Sequence, residues 1–140
     1  MAALAWMIVA VVGLCIISSD AAVATPASAS STDAYSFPDH SCGVIPVDPS
    51  SPLGQARKGI LVNVVNVHNS HSGEFSTCIN VNSLLWARAA CPDPTSASCP
   101  ACLGEAQAFL DQNCMYFDEG RVQENAMTCN MAFGDKSVCD

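Results

Sequence analysis

The spacing of hydrophobic residues predicts two helices. Between Pro52 and Val67, apolar residues recur at intervals of three and four positions, which places them on one face of a helix. Pro52 suits the first turn of that helix. A second helix is predicted to start at Ser98 and to end near Cys114. Its apolar and cysteine positions form one stripe: Cys99, Cys102, Leu103, Ala106, Leu110 and Cys114. The stripe places three cysteines against the core of a folded domain.

Shorter segments between and after these helices predict β-strands. Residues 75–82 and 84–90 are separated by little more than a turn, and residues 121–133 can supply one or two more strands. Helices that are grouped with short antiparallel strands give an α+β domain, not an alternating parallel sheet. The predicted fold is therefore α+β, with two helices packed on an antiparallel sheet of about five strands and stapled by disulfides.

The amino-terminal residues predict an export signal. The apolar stretch from Leu4 to Ile17 is 14 residues long, shorter than the roughly 20 residues of a membrane-spanning helix. Ala22, Val23 and Ala24 follow it with the small-x-small pattern of a cleavage site. We interpret residues 1–24 as a signal peptide, and we expect no membrane insertion after its cleavage. The alternative is a retained membrane anchor.

The remaining chain divides by composition. Residues 25–34 are small and polar, and they predict a flexible N-terminal segment. Residues 35–140 contain no internal repeat and no second linker, so we interpret them as a single domain.

Cysteine usage predicts a disulfide framework. The chain has nine cysteines, and one of them, Cys15, lies in the predicted signal peptide. An even number then remains in an exported chain, which is typical of a small domain held together by disulfides. The eight residues are Cys42, Cys78, Cys91, Cys99, Cys102, Cys114, Cys129 and Cys139. Their spacing alone does not give the pairing.

The charge of the chain limits its partners. Its formal net charge is −8 at pH 7. The negative electrostatic potential of such a chain repels polyanions. Nucleic acids and anionic lipid surfaces are therefore disfavoured as partners.

Two groups of residues are candidates for chemistry at a site. Cys99 and Cys102 form a Cys-x-x-Cys motif at a helix start, where a redox thiol would have a lowered pKa. Each thiol, however, has another expected partner in the disulfide framework. His68 and His71 lie near Glu74 and would bind a metal if they shared one helical face, but the residues around them predict a solvated loop. We expect no metal site, no cofactor and no enzymatic activity.

A run of spaced cysteines resembles a known motif. Cys91-Pro-Asp-Pro-Thr-Ser-Ala-Ser-Cys99-Pro-Ala-Cys102-Leu103 is followed by Ala106, Leu110, Cys114 and Cys129. This pattern resembles the ginkbilobin-2-homologous domain, also called domain of unknown function 26. The domain is a cysteine-rich repeat of plant secreted proteins, cysteine-rich receptor-like kinases and plasmodesmal proteins. The match covers roughly residues 35–135. The first two motif cysteines are separated by one residue fewer than is usual in the family.

The resemblance implies a disulfide pairing. It pairs Cys42 with Cys114, Cys91 with Cys99, and Cys102 with Cys129. Cys78 and Cys139 are left over, and we predict that they form a fourth bridge because an unpaired thiol is disfavoured in an oxidising compartment. An intermolecular bridge through Cys139 is the alternative.

The resemblance also implies a sugar-binding site. Single-domain members resemble ginkbilobin, an antifungal seed protein that binds mannose through an Asn, an Arg and a Glu. Gly43 stands at the position of the Asn, so the amide is missing here. Arg121 matches the Arg. Gly134 stands at the position of the Glu, and Asp135 is next to it. Gln123, Glu124 and Asn125 would extend the polar rim near the end of the sheet.

Two functions follow from the resemblance. The first is a plant defence protein, secreted to the apoplast, with mannose-type glycan binding and antifungal activity. The second is an extracellular module that has lost sugar binding and binds a protein partner. An exposed apolar patch would favour the second.

Overall fold

A five-stranded antiparallel sheet organises residues 35–140, the part of the chain that this computed structural model describes. The predictions for residues 1–24 and 25–34 lie outside the described residues. The strands are β1 (Asp39–Cys42), β2 (Ser76–Val81), β3 (Leu85–Ala90), β4 (Gly120–Gln123) and β5 (Asn130–Gly134). They lie in the order β1-β4-β5-β3-β2, and all neighbouring strands are antiparallel. The predicted α+β class is confirmed.

The helices pack on one face of this sheet. They are α1 (Pro52–Arg57), α2 (Ile60–Ser70) and α3 (Ser98–Asn113), and a 3-10 helix at Lys136–Cys139, here called the C-terminal turn, follows β5. The first predicted helix is present as two segments, because Gly59 adopts a left-handed conformation with φ of 80° between α1 and α2. Glycine carries no Cβ, so it tolerates this conformation better than any other residue. No helix of residues 35–140 is both long enough and apolar enough to cross a membrane.

The core lies between the helices and one face of the sheet. Because side chains alternate between the faces of a strand, Val122, Met131 and Phe133 all point toward the helices and are buried. The helices add Ile60, Leu61, Val64, Leu103 and Leu110. Burial of each such side chain contributes about 1.5–3 kcal/mol to stability. The three cysteines of the predicted stripe, Cys99, Cys102 and Cys114, are buried with them.

Four disulfides connect these layers. Cys42–Cys114 joins β1 to the end of α3, Cys91–Cys99 closes the loop before α3, and Cys102–Cys129 joins α3 to the residue before β5. The fourth, Cys78–Cys139, attaches the C-terminal turn to β2. These pairs coincide with the three pairs that the resemblance implies and with the predicted fourth bridge. In the structure, Cys99 and Cys102 of the Cys-x-x-Cys motif therefore belong to two different bridges.

Candidate ligand-binding face

The second face of the sheet carries a row of polar side chains. Its centre is Ala132 of β5, which pairs with Arg121 of β4 on one side and with Arg88 of β3 on the other. Ser41 of β1 continues the row beyond Arg121. A second row runs parallel to it through Asp39, Gln123 and Asn130. We call this surface the open face, because α1, α2 and α3 lie on the opposite side of the sheet and only the C-terminal turn covers part of this one.

A cleft of about 640 Å³ lies over the open face. Its walls present guanidinium groups, amides, hydroxyls and carboxylates. The polar lining residues are Asp39, His40, Ser41, Arg88, Arg121, Gln123, Asn130, Ser137 and Asp140. Most of these hydrogen-bond donors and acceptors lie on strands, whose backbone is fixed by the sheet, and Ser137 and Asp140 belong to the C-terminal segment.

The C-terminal turn closes one side of the cleft. Val138 is buried, and Cys139 holds the turn to Cys78. Asp135 begins the turn, and its carboxylate accepts a hydrogen bond from the backbone N–H of Ser137 at 2.9 Å. Hydrogen bonds from the Ser137 hydroxyl and N–H lower the pKa of the Asp135 carboxyl, and the positive charge of Arg121 lowers this pKa further. Asp135 is therefore an ionised carboxylate close to Arg121.

The space beside Gly43, at the edge of the open face, is filled by neighbouring side chains. The N–H of Gly43 donates to the carbonyl of Glu119 at 2.9 Å. A Cβ at residue 43 would collide with Oδ1 of Asp118 and would lie 2.7 Å from Cγ of Glu119. A Cβ at Gly134 would lie 3.1 Å from Cβ of Glu119. The side chain of Glu119 thus packs beside both glycines, in the region where the resemblance implies an Asn and a Glu.

The structure brings only part of the predicted sugar site together. Arg121 is exposed on the open face, and Asp135 lies close to it. Gln123 also lines the cleft. Glu124 is only 6% exposed, and its carboxylate accepts hydrogen bonds from the N–H groups of Ala126 and Thr128. The expectation that Glu124 belongs to the polar rim is therefore wrong, because its carboxylate holds the turn between β4 and β5.

Sequence reasoning missed Arg88 and Glu119. The signal for Glu119 was its spacing of two residues from Arg121, which puts both side chains on one face if the strand extends to residue 119. The contact with the two glycines was not visible in the sequence. The signal for Arg88 was the alternation of β3, but its position opposite Arg121 depends on the order of the strands.

Neither arginine of the cleft is used in an ion pair within the described part of the chain. The ion pair found among residues 35–140 joins Arg57 to Asp111 at 3.3 Å. Arg88 donates from Nε to the hydroxyl of Ser76 at 2.8 Å. The terminal nitrogens of Arg88 and the guanidinium of Arg121 have no hydrogen-bond acceptor among those residues, so they are available to a ligand.

His68 lies in a different environment from the predicted solvated loop. It belongs to α2 and is 4% exposed. Its Nδ1 lies 3.1 Å from the hydroxyl of Thr77, and its Nε2 lies 3.6 Å from Sγ of Cys99. Burial lowers the pKa of His68, and the negative charge of Glu74 acts weakly in the opposite direction. The prediction of a loop was wrong here because α2 continues to Ser70 and turns His68 toward β2.

The buried histidine forms a cluster with a disulfide. The ligand atoms of His68, Cys91 and Cys99 lie within 4.8 Å of one another. Both sulfurs are joined in one disulfide, and only a thiolate is an effective metal ligand. His71 is exposed, and its Nδ1 lies 2.8 Å from the carbonyl of Val67. In this oxidised state, the cluster packs the disulfide against α2.

Exposed apolar side chains follow β1 and α3. Val44 is 89% exposed and Ile45 is 60% exposed. The segment that follows them runs beside Tyr116, because residues 45–47 form backbone hydrogen bonds with residues 116–118. Met115 is 48% exposed and Tyr116 is 59% exposed. Met115 and Tyr116 also line an apolar pocket of about 190 Å³. We call these four side chains the apolar patch.

Comparisons with known proteins define the fold. No protein-family model matches this chain, and no curated protein matches its sequence. The structure is similar to the tandem DUF26 ectodomain of the cysteine-rich receptor-like protein PDLP8 from Arabidopsis thaliana, with a TM-score of 0.57 and 19% sequence identity. The match covers 71% of this chain and 45% of that ectodomain.

A second ectodomain gives the same result. The tandem DUF26 ectodomain of PDLP5 from Arabidopsis thaliana matches with a TM-score of 0.50 and 21% identity, over 69% of this chain and 42% of that ectodomain. The chain therefore spans less than half the length of the two ectodomains. Residues 35–140 have the fold of a DUF26 domain, in agreement with the resemblance seen in the cysteine motif.

Proposed function

We propose that this protein is an extracellular recognition domain that binds a glycan on the open face of its sheet and has no catalytic activity. The observation that carries the proposal is the 640 Å³ cleft, in which guanidinium, amide, hydroxyl and carboxylate groups converge. Sugar hydroxyls both donate and accept hydrogen bonds, so they match a surface of this mixed composition. Secretion to the plant apoplast and a role in defence, including antifungal activity, belong to the same proposal.

Two features support an extracellular location. Four disulfides hold the domain together, and disulfides persist in oxidising compartments. The solved structures with the same fold are ectodomains of receptor-like proteins. The fold alone does not determine a ligand, so the proposal of a glycan rests on the side chains of the cleft.

Mannose itself is expected to bind weakly. Gly43 contributes no amide, and Asp118 and Glu119 fill the space beside it. Losing one hydrogen bond costs about 0.5–1.5 kcal/mol. A single sugar with a Kd of about 1 mM has only about 4 kcal/mol of binding free energy. The missing contact is thus a large share of the total, and a mannose-type ligand needs further contacts from Arg121 and Gln123.

A glycan array probed with the mature, oxidised protein tests the proposal. Arg121→Gln removes the guanidinium from the cleft, and Lys58→Gln removes an exposed cation that lies outside it. We expect binding to at least one glycan class, loss of that binding in Arg121→Gln, and retention in Lys58→Gln. If protein with four intact disulfides binds no glycan on the array, glycan recognition is contradicted.

The apolar patch supports a second candidate function, a protein-interaction module without sugar binding. Exposed apolar surfaces that are rimmed by polar residues mark protein-binding sites. Val44, Ile45, Met115 and Tyr116 are exposed on two segments that run side by side, and Met115 and Tyr116 line an apolar pocket. A hydrophobic dye tests whether the patch is accessible. We expect the wild-type protein and Arg121→Gln to bind the dye equally, and Ile45→Ser to lose this binding. Wild-type protein that does not bind the dye would remove the support for this candidate.

A further inference from the structure

We infer that the glycan contains an isolated carboxylate, as in a uronic acid within an otherwise neutral oligosaccharide, and that Arg88 and Arg121 bind this carboxylate together. This inference rests on the proposed function and specifies its ligand. It involves Arg88, which the resemblance does not implicate, and it assigns separate parts of the ligand to the two polar rows of the open face.

The geometry of the first row supports a shared anion site. Arg121 and Arg88 flank Ala132 from the two adjacent strands. Neighbouring strands lie about 4.8 Å apart, so the Cα atoms of the two arginines are about 10 Å apart. Arginine side chains are long enough for both guanidinium groups to reach one anion above Ala132, whose methyl group leaves the floor of the cleft open. In this structure Nε of Arg88 donates to Ser76 of β2, on the side of β3 away from Ala132, so ligand binding requires the Arg88 side chain to turn toward β5. The planar guanidinium donates two parallel hydrogen bonds to a carboxylate, which gives strong and oriented binding.

The charges of the two arginines are not neutralised by close partners. The chain has only five Lys and Arg residues against 13 Asp and Glu residues, and two of the five cations line this one cleft. No carboxylate of residues 35–140 forms an ion pair with either arginine, because the ion pair found there is Arg57–Asp111. Asp135 lowers the positive potential near Arg121, but its carboxylate is already hydrogen-bonded to Ser137.

The surrounding negative charges exclude a densely charged ligand. Asp39 and Asp140 line the cleft, and the whole chain has a formal net charge of −8. Successive carboxylates of a polyuronate would approach these groups and would be repelled. A single carboxylate between the arginines is attracted by two positive charges, whereas each further carboxylate adds repulsion without adding another cation of the cleft. The ligand chemistry that fits is therefore one acidic sugar among neutral sugars.

The second row is suited to the neutral sugars. Gln123 pairs directly with Asn130 across the sheet, and Asp39 pairs with Gln123 on the other side. Two amides can each donate and accept, and the carboxylate of Asp39 accepts from a hydroxyl. The two rows thus provide adjacent subsites, one for the carboxylate and one for the hydroxyl groups of the neighbouring sugar.

Calorimetric titration with a matched pair of oligosaccharides tests this inference. The acidic probe is aldotetraouronic acid, which consists of xylose units and one glucuronic acid, and the neutral probe is xylotetraose. We expect the oxidised protein to bind the acidic probe at least about tenfold more tightly, as two charge-assisted hydrogen bonds imply. The affinity for the acidic probe should fall when the salt concentration is raised from about 50 to about 500 mM, while that for the neutral probe stays constant.

Four variants test whether this preference depends on the arginines. Arg88→Gln and Arg121→Gln should each remove most of the tenfold preference, whereas Lys58→Gln should retain it. Thermal unfolding checks that the variants are folded. Arg88→Lys keeps the charge but not the planar pair of donors, so it should retain only part of the preference.

The failures of the two proposals are distinguishable. Equal affinity for the acidic and neutral probes would overturn the carboxylate inference and leave glycan recognition standing. Tighter binding to polygalacturonate than to aldotetraouronic acid would overturn the requirement for an isolated carboxylate. No binding to either probe and no bound glycan on the array would overturn the proposed function itself.

Discussion

The two faces of the sheet are built from the same strands but from different side chains. On the helix side, Val122, Met131 and Phe133 are buried, and three disulfides join the strands and loops around them to α3. On the open side, Arg121 and Asn130 alternate with those residues along β4 and β5 and face a cleft. One position along a strand therefore separates a residue that stabilises the fold from a residue that presents ligand chemistry. Substitutions should change unfolding on one face and binding on the other.

Two glycines, one on each face, also differ in how tightly they are packed. At Gly120, on the helix side, a Cβ would collide with the ring of Phe133 and lie 3.0 Å from Cβ of Cys114. At Gly43, on the edge of the open face, a Cβ would meet the carboxylate end of Asp118 and the side chain of Glu119. The ring and the disulfide of the core cannot move away, whereas the partly buried side chain of Asp118 and the exposed side chain of Glu119 have more room to move. The same added methyl group should therefore have different costs at the two positions.

The largest expected effect is that of Phe133→Ala. Phe133 is fully buried, and the guanidinium of Arg57 stacks on its ring at 3.7 Å from the centroid. Removing the ring leaves a cavity and should lower the free energy of unfolding by about 3–5 kcal/mol. Arg121→Ala, in the neighbouring strand but on the open face, should lower it by less than about 0.5 kcal/mol. Denaturant titration measures both, and similar losses would contradict the division between the faces.

Removal of the Cys78–Cys139 bridge should have the next largest effect. The bridge joins residues 61 positions apart, and the loss of a long-loop disulfide usually costs about 2–4 kcal/mol. The double variant Cys78→Ser, Cys139→Ser should also bind glycan less well, since the C-terminal turn contributes Ser137 and Asp140 to the cleft. Unfolding and glycan titration of the same variant measure both changes. Unchanged binding would show that the turn is not part of the ligand site.

The substitutions Gly120→Ala and Gly43→Ala test the comparison of the two glycines. Overpacking of a core costs about 1–3 kcal/mol, and Gly120→Ala should fall in that range. Gly43→Ala should cost less because Asp118 and Glu119 can move aside. A greater loss of stability in Gly43→Ala than in Gly120→Ala would contradict this prediction.

One glycine substitution is expected to raise stability by a small amount. Gly104 lies inside α3, is exposed, and has no atom within 4 Å of the position of an added Cβ. Gly104→Ala should raise the free energy of unfolding by about 0.5–1 kcal/mol, because alanine favours the helix. Gly104→Ala also serves as the control for the other glycine substitutions. A loss of stability in this variant would show that the surroundings of Gly104 in α3 are more tightly packed than the structure shows.

His68 gives a pH dependence whose sign follows from its burial. Its pKa in the folded protein lies below the ordinary value of 6.5, so the unfolded chain takes up a proton at a higher pH than the folded chain. Stability should therefore fall as the pH decreases below about 6.5, where the unfolded state binds more protons. Thermal unfolding between about pH 7.5 and 5.5 should show this decrease in wild type and a smaller one in His68→Gln. Equal slopes would contradict a buried, neutral His68.

The elements with a strong hydrophobic pattern were predictable from the sequence. The apolar stripe predicted α3, and the two segments at residues 75–82 and 84–90 predicted β2 and β3, close to their bounds in the structure. β1 was not predicted, because Asp39–Cys42 is polar and largely exposed, so only its hydrogen bonds to β4 make it a strand. The break at Gly59 was missed because the spacing of apolar residues continues across it.

The candidate site was predictable only where it lies close to the cysteine motif. The resemblance led to Arg121, but Arg88 lies 33 positions earlier in the numbering and becomes its neighbour only through the strand order β4-β5-β3. Glu124 was misplaced because its carboxylate binds two N–H groups of a tight turn, and this inward direction is not visible in a strand pattern. Contacts between distant segments decide the site, and a single sequence does not contain them.

The most direct test of glycan recognition on the open face is a chemical-shift titration of the isotope-labelled, oxidised protein with aldotetraouronic acid. We predict shift changes at the amides of β3, β4 and β5 around Arg88, Arg121 and Asn130 and in the C-terminal turn, with none at Val44 or Ile45. Changes that are confined to the apolar patch, or no changes at all, would contradict recognition through the open face.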